Sequence, residues 1–191
     1  FANLNSALSV QLAGGVSADT ATNISSGNLI AGYDLFRNDE LIDVSLLPAG
    51  PWSNTTVVSN IIGIAESRKD CVAFISPKQS DVVNVTSGAT QTTNVVTYRN
   101  SLGSTNYAVM DSGWKYQYDR YNNVYRWIPL NADVAGLCAY TDTVADPWYS
   151  PAGFNRGKIK NAVKLAWSPN LSQRDSLYKN GVNPVVSIKG D

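Results

Sequence analysis

Histidine is absent from the 191 residues, methionine occurs once and cysteine twice. Without histidine the chain has no ordinary general base near neutral pH, no usual partner for a serine or cysteine nucleophile, and none of the commonest metal ligand. Cys71 and Cys138 lie in apolar contexts, DCVAF and AGLCAY, as small buried hydrophobes do, so neither a redox pair nor a zinc site is expected. Charge is sparse and balanced, with 15 Lys and Arg against 15 Asp and Glu, together 16% of the chain. That balance removes the electrostatic footprint of nucleic-acid binding and leaves little to hold an acidic membrane surface. No apolar run approaches the roughly 18 residues of a membrane span, so direct membrane insertion is not expected. Neither G-x-G-x-x-G after a strand nor G-x-x-x-x-G-K-[ST] occurs, so phosphate-bearing cofactors lack their usual cradle and no cofactor is expected.

A chain of this length suits one domain burying roughly 70% of its unfolded surface, and residues 1–191 are read as a single core domain. The first residues, FANLNSALSV, show neither a basic signal-peptide region nor an initiator methionine, and the chain stops just after a strand-like VVSI. Those ends suggest a trimmed core of a longer protein.

Along the chain, strand-like and helix-like patterns alternate. Residues 7–12 (ALSVQL) read as a strand ended by Gly14-Gly15, and Ser25 or Ser26 caps a helix with Leu29, Ile30, Tyr33 and Leu35-Phe36 at helical spacing. Residues 42–47 (IDVSLL) read as a buried strand broken by Pro48. Asn54 starts a helix with Val57, Val58, Ile61, Ile62 and Ala65 inward, and residues 71–75 (CVAFI) form a third apolar strand. Short apolar strands separated by helices predict an α/β fold, a mostly parallel sheet with helices on both faces. A further helix is expected around 89–101, carrying Val95, Val96 and Tyr98. From Tyr107 the character changes: a strand is followed by an aromatic antiparallel hairpin turning at Asn122-Asn123, and then by a short buried helix over 132–141. Ser168 before Pro169 has the form of a helix start, and Gly181 of its stop.

Two sets of residues carry conceivable chemistry. On an extended strand Trp114, Tyr116 and Tyr118 share one face, joined by Tyr125 and Trp127 from the second strand, which would suit a carbohydrate-binding module as well as a hairpin core. The acidic residues Asp39, Glu40, Asp111, Asp119, Asp133, Asp142 and Asp146 would serve a glycoside hydrolase only if two faced each other across a cleft, whereas their positions in corners and turns suit capping and solvation. Sequons starting at Asn23, Asn54, Asn84 and Asn170 are what chance supplies in a chain rich in Asn, Ser and Thr.

The most specific segment is the loop 146–158, DPWYSPAGFNRGK. Pro147, Pro151, Gly153 and Gly157 stiffen and bend its backbone, Trp148 and Phe154 offer anchors, and Arg156 offers a rigid fork for carboxylates or carbonyls. With the preceding helix it reads Ala135-Gly136-Leu137, Ala139, Asp142, Trp148, Pro151-Ala152-Gly153 and Arg156-Gly157. That pattern, AGL-x-A-x-x-D followed by W-x-x-PAG-x-x-RG, resembles contractile-tail sheath proteins of myoviruses. The hairpin SGWKYQYDRYNNVYRWIPL and the later QRDSLYKNGVNPV are similar to T-even-type phage sheaths, so the resemblance is strongest over about residues 105–186.

The resemblance implies a structural virion protein, not an enzyme, that polymerises as hexameric rings stacked helically around a tail tube and contracts to drive the tube through a host envelope. Its implied partners are other sheath subunits, the tail tube protein, the baseplate and the tail terminator. It also implies synthesis in the host bacterial cytoplasm, and a missing N-terminal arm and C-terminal domain that link subunits by adding strands to a neighbour's sheet. Lys158, Lys160 and Lys164, the densest basic run after the loop, are candidate contacts for an acidic neighbouring surface.

Overall fold

A computed structural model describes residues 24–188; the strand expected over 7–12 lies outside them. The described residues open with α1 (Ser26–Asp34), whose N-cap Ser25 accepts a hydrogen bond from the Asn28 amide at 3.2 Å. A 3-10 turn (Leu35–Arg37) follows. Leu29, Ile30, Tyr33 and Phe36 pack inward, but Leu35 is 69% exposed, because the tightened last turn rotates it off the inner face.

Three parallel strands, β1 (Leu46–Pro48), β2 (Val72–Ile75) and β3 (Ala108–Met110), form a sheet in the order β1-β2-β3. The first strand is shorter and later than the expected 42–47, since pairing starts only at Leu46 opposite Val72. Pro48 sits inside that strand instead of breaking it; β1 is an edge, where a missing amide donor costs little.

Between β1 and β2 runs α2 (Thr55–Arg68), capped by Asn54, whose side chain accepts from the Thr56 amide at 2.9 Å. Its Val57, Val58, Ile61, Ile62, Ile64 and Ala65 are buried, and they share two apolar clusters with Cys71, Ala73 and Ile75. Because strand side chains alternate, Phe74, 3% exposed, points to the opposite face. That face is left to α5 (Asn131–Val144), which packs against β1 and β2 and contributes to neither cluster.

Between β2 and β3 lie α3 (Gln79–Val82) and α4 (Gly88–Asn100); Val95 and Tyr98 of α4 are buried. Helix α5 is longer than expected and mostly not buried: only Asn131, Ala135 and Thr141 are, since one face meets the sheet and the rest looks outward.

A second, antiparallel sheet has the order β5-β4-β6, from β4 (Trp114–Asp119), β5 (Val124–Pro129) and the edge strand β6 (Lys164–Leu165). The hairpin is therefore not a free two-stranded ribbon, which alone would be marginally stable. The last helix, α6 (Leu171–Lys179), starts two residues later than Ser168-Pro169 suggests. Asn170 and Gln173 form a reciprocal capping box, while the Ser168 hydroxyl accepts instead from the Ser187 amide at 3.1 Å. Gly181, with φ of 73°, closes that helix: the Val182 amide reaches Leu177 O at 3.0 Å and the Gly181 amide reaches Tyr178 O at 3.0 Å. Residues 185–188 form no strand; Asn183 makes an isolated bridge to Asp111, and the Val185 amide donates to Ser112 Oγ at 2.8 Å.

Candidate assembly surface

The hairpin register puts Tyr116 opposite Trp127 and Tyr118 opposite Tyr125, so these four rings share a face as the alternation requires. Tyr116 lies 4.8 Å from Trp127 and 5.3 Å from Tyr125 between ring centroids, and Tyr118 lies 5.0 Å from Tyr125. Lys164 of β6 is paired with Tyr116 and holds its ammonium 5.2 Å from that ring and 5.7 Å from Trp127. Trp114 is 5% exposed, belongs to the main apolar cluster, and donates its indole N–H to Pro77 O at 2.8 Å. Trp114 therefore leads no sugar-stacking platform, because its ring is core, while Tyr118 and Tyr125 stay 43% and 53% exposed on the hairpin.

The opposite face of β4 carries Lys115. It is buried, and its Nζ donates to Asp133 Oδ1 at 2.8 Å and to Lys160 O at 3.0 Å, tying β4 to α5 and to the segment after the loop. No sequence signal marked Lys115, because an alternating lysine in an aromatic strand ordinarily faces water. A second buried polar node was equally silent. Asp111, 2% exposed, accepts from the Ser76 hydroxyl at 2.6 Å and the Gly113 amide at 2.8 Å, and Ser76 Oγ in turn accepts from the Asn131 amide at 3.0 Å. Burial pushes the Asp111 carboxyl up to about 7, against the downward pull of the Ser76 hydrogen bond; the nearby Asp133 charge pushes in the same direction as burial. The node joins the ends of β2 and β3 to the start of α5.

Asp111 and Asp133 are thus neighbouring carboxylates, but Asp111 spends both oxygens on internal donors and is closed to a substrate. Asp119 braces the hairpin turn, accepting from the Tyr121 and Asn122 amides, the Asn122 side chain and Arg126, which holds its carboxyl down to about 2. Two of the sequon asparagines, Asn54 and Asn170, are helix caps, and Asn84 occupies a left-handed turn with φ of 60°.

In the motif helix, Ala135 is buried and Leu137 half-buried, while Gly136 and Asp142 are exposed, and a Cβ on Gly136 would meet nothing within 4 Å. The loop after it is braced from within. The Tyr149 amide donates to Asp146 O at 2.9 Å, the Ala152 amide to Ser150 Oγ at 3.2 Å, Arg156 Nε to Ser150 O at 3.1 Å, and the Gly157 amide to Gly153 O at 2.8 Å. The Arg156 fork therefore holds the loop's own carbonyl, with its guanidinium 5.4 Å from the Tyr149 ring. Both glycines of the PAG-x-x-RG turn have a physical reason. Gly153 has φ of 99°, and a Cβ on Gly157 would fall 2.7 Å from Gly153 N and 2.8 Å from Ala152 Cα. Pro151 and Ala152 form the near side of that turn.

Trp148 and Phe154, expected to anchor the loop, instead project from it, each 79% exposed. Of the three lysines, Lys160 lies 5.3 Å from the Tyr140 ring and Lys164 covers the hairpin rings, whereas Lys158 is exposed and makes no ion pair among the described residues. The region offers a pre-shaped, partly apolar surface with a cationic margin, and among the described residues no group of three or more Cys, Asp or Glu is placed to hold a metal ion.

A model of the phage tail sheath protein central domain matches residues 52–191. The chain is 40% identical over 195 residues to the tail sheath protein of Enterobacteria phage T4, covering 94% of this chain and 29% of that one. It is 40% identical over 188 residues to the tail sheath protein of Vibrio phage KVP40, covering 88% of this chain and 28% of that one. Among solved structures, a chain of the anti-feeding prophage baseplate superposes with a TM-score of 0.55 at 18% identity, covering 84% of this chain and 38% of that chain, a likeness of fold. The chain spans less than a third of the length of the curated relatives it matches.

Proposed function

From a chain that belongs to the phage tail sheath protein family, through its central domain, we infer a subunit of a contractile tail sheath. It polymerises with other copies around a tail tube, as hexameric rings stacked helically, and contracts to drive the tube through the host envelope. Residues 1–191 act as one core domain within a longer protein, made in the host bacterial cytoplasm and built into the virion tail, where it meets the tube, the baseplate and the terminator. The observation that carries this reading is the 40% identity to a tail sheath protein over 94% of the chain.

Such work is mechanical and breaks no covalent bond. Extended and contracted lattices differ in how rigid units pack, so each unit must transmit force without deforming. The internally braced loop, the buried Lys115–Asp133 tie between β4 and α5, and the cross-strand aromatic stack suit that requirement. Balanced net charge suits close helical packing, which like-charge repulsion would oppose. The motif residues Ala135, Gly136, Leu137, Asp142, Trp148, Pro151, Ala152, Gly153, Arg156 and Gly157 shape this unit; Lys158, Lys160 and Lys164 line one of its contact edges.

The test is electron microscopy of the full-length sheath protein that carries this chain. Tubular polysheaths are expected over a range of salt, while residues 1–191 alone stay monomeric. A full-length protein that never polymerises at any ionic strength sinks the reading.

A further inference from the structure

Trp148 and Phe154 are each 79% exposed on a loop that hydrogen-bonds to itself, and Tyr149 beside them is 48% exposed. Large aromatics held outward on a pre-ordered frame have already lost the conformational freedom that binding would otherwise cost, and such residues dominate interface energies. Across residues 140–164 the charges are Arg156, Lys158, Lys160 and Lys164 against Asp142 and Asp146, four minus two, a net of +2.

The complement lies on the same chain. Leu35 and Leu41 are 69% and 80% exposed, and between and beside them stand Asp39, Glu40 and Asp43, exposed and without ion pairs among the described residues. Across residues 34–44 the charges are Asp34, Asp39, Glu40 and Asp43 against Arg37, a net of −3. No hydrogen bond or ion pair among the described residues joins the two surfaces within one molecule. α1 and its 3-10 turn pack on α2, on one face of the parallel sheet, whereas α5, which leads into the loop, packs on the other.

We propose that the Trp148–Phe154 loop docks, head to tail, onto the Leu35–Asp43 corner of a second copy of this chain. The inference rests on the sheath reading and adds to it which surfaces meet. A contact between two different patches of one chain is heterologous, and its repetition generates a closed ring or an open filament, whichever the rotation allows. The aromatic side chains fill the space between Leu35 and Leu41, and Lys158 faces Asp39 and Glu40. Two rings contribute roughly 150–250 Å² each. That is below the about 800 Å² per partner of a stable isolated interface. The contact therefore holds copies only where other links already bring them together, and a separate domain stays monomeric.

A photo-crosslinking amino acid placed at position 148 of the full-length protein tests this, because the exposed ring can be replaced without disturbing the fold. In assembled tubes the crosslinked peptide should map to residues 35–43 of a neighbouring copy. Trp148→Ala and Phe154→Ala should each raise the concentration needed for tubes about tenfold. Lys158→Glu and Glu40→Lys should each weaken assembly, and the two together in one chain should restore it. Crosslinks to any other segment, to another tail protein, or to none, in tubes that form normally, overturn the docking while leaving the sheath reading intact. If the unsubstituted protein forms no tubes, the sheath reading itself fails and the docking falls with it.

Discussion

Asp111 makes the stability of the domain depend on pH in an uncommon direction. Its carboxyl is pushed from 3.8 up to about 7 by burial beneath Ser76, Gly113 and the start of α5. Between about pH 4 and 7 the unfolded chain releases this proton while the folded chain retains it, so the native state binds more protons and stability falls as pH rises. The loss approaches about 1.4 kcal/mol per pH unit, some 4 kcal/mol over the window, and levels off above 7. Against a total of about 5–15 kcal/mol that is a large share. Asp119, held down to about 2 by Asn122 and Arg126, acts in the opposite sense, but its contribution is lost only as pH falls below the ordinary carboxylate range. Asp81, raised by burial, acts in the same sense as Asp111. Urea midpoints measured across the window should therefore decline from acid to neutral in the parent chain. In Asp111→Asn most of that slope should vanish, at a cost of about 1 kcal/mol near pH 4, because the amide keeps one acceptor oxygen and its NH2 faces one of the two donors, the Ser76 hydroxyl or the Gly113 amide. Midpoints that rise from pH 4 to 7, or a slope unchanged in Asp111→Asn, refute the assignment of a buried neutral carboxyl.

The other expectations concern the bracing of the candidate surface. Gly157→Ala forces a Cβ against the backbone of Ala152 and Gly153 and breaks the closing hydrogen bond, so the loop opens at a cost of about 2–3 kcal/mol and trypsin cleaves faster at Arg156 and Lys158, with the core's far-ultraviolet signal retained. Lys115→Met keeps the stem but strands Asp133 and Lys160 O, lowering stability by about 2 kcal/mol in denaturant titration; an unchanged midpoint would mean that the pair contributes nothing. Asn170→Ala removes one half of the capping box of α6 and should cost about 1 kcal/mol, detectable as faster amide exchange in the first turn of that helix.

Where side-chain periodicity is imposed by a single buried face, the sequence was legible. Helix α2 starts after its Asn54 cap and buries Val57, Val58, Ile61, Ile62 and Ala65 as the pattern places them, and the hairpin's shared aromatic face follows from period-two alternation. The motif that carries the family likeness was also readable, down to the two glycines whose backbone demands the structure explains. Features built from long-range partners were not legible. Strand β6 is two residues long and owes its existence to the β4 edge beside it. Lys115 and Asp111 look like surface residues until α5 is folded over them. A large apolar side chain is usually buried, so nothing in the pattern of the loop aromatics marks them as turned outward, as they are in the fold. Trp114, the leading residue of the sugar reading, went the other way, into the core.

We infer that this domain, as the proposed sheath subunit, moves as a rigid packing unit whose surroundings, and not its fold, change on contraction. Helical reconstruction by cryo-electron microscopy of the full-length protein in extended and contracted tubes tests it most directly. Residues 24–188 of the two states should superpose within about 1 Å over Cα atoms, with β4, β5, β6 and the α5 loop unchanged while whole subunits rotate against one another. Repacking of the parallel sheet against α5, or separation of β6 from β4, between the two states would contradict it.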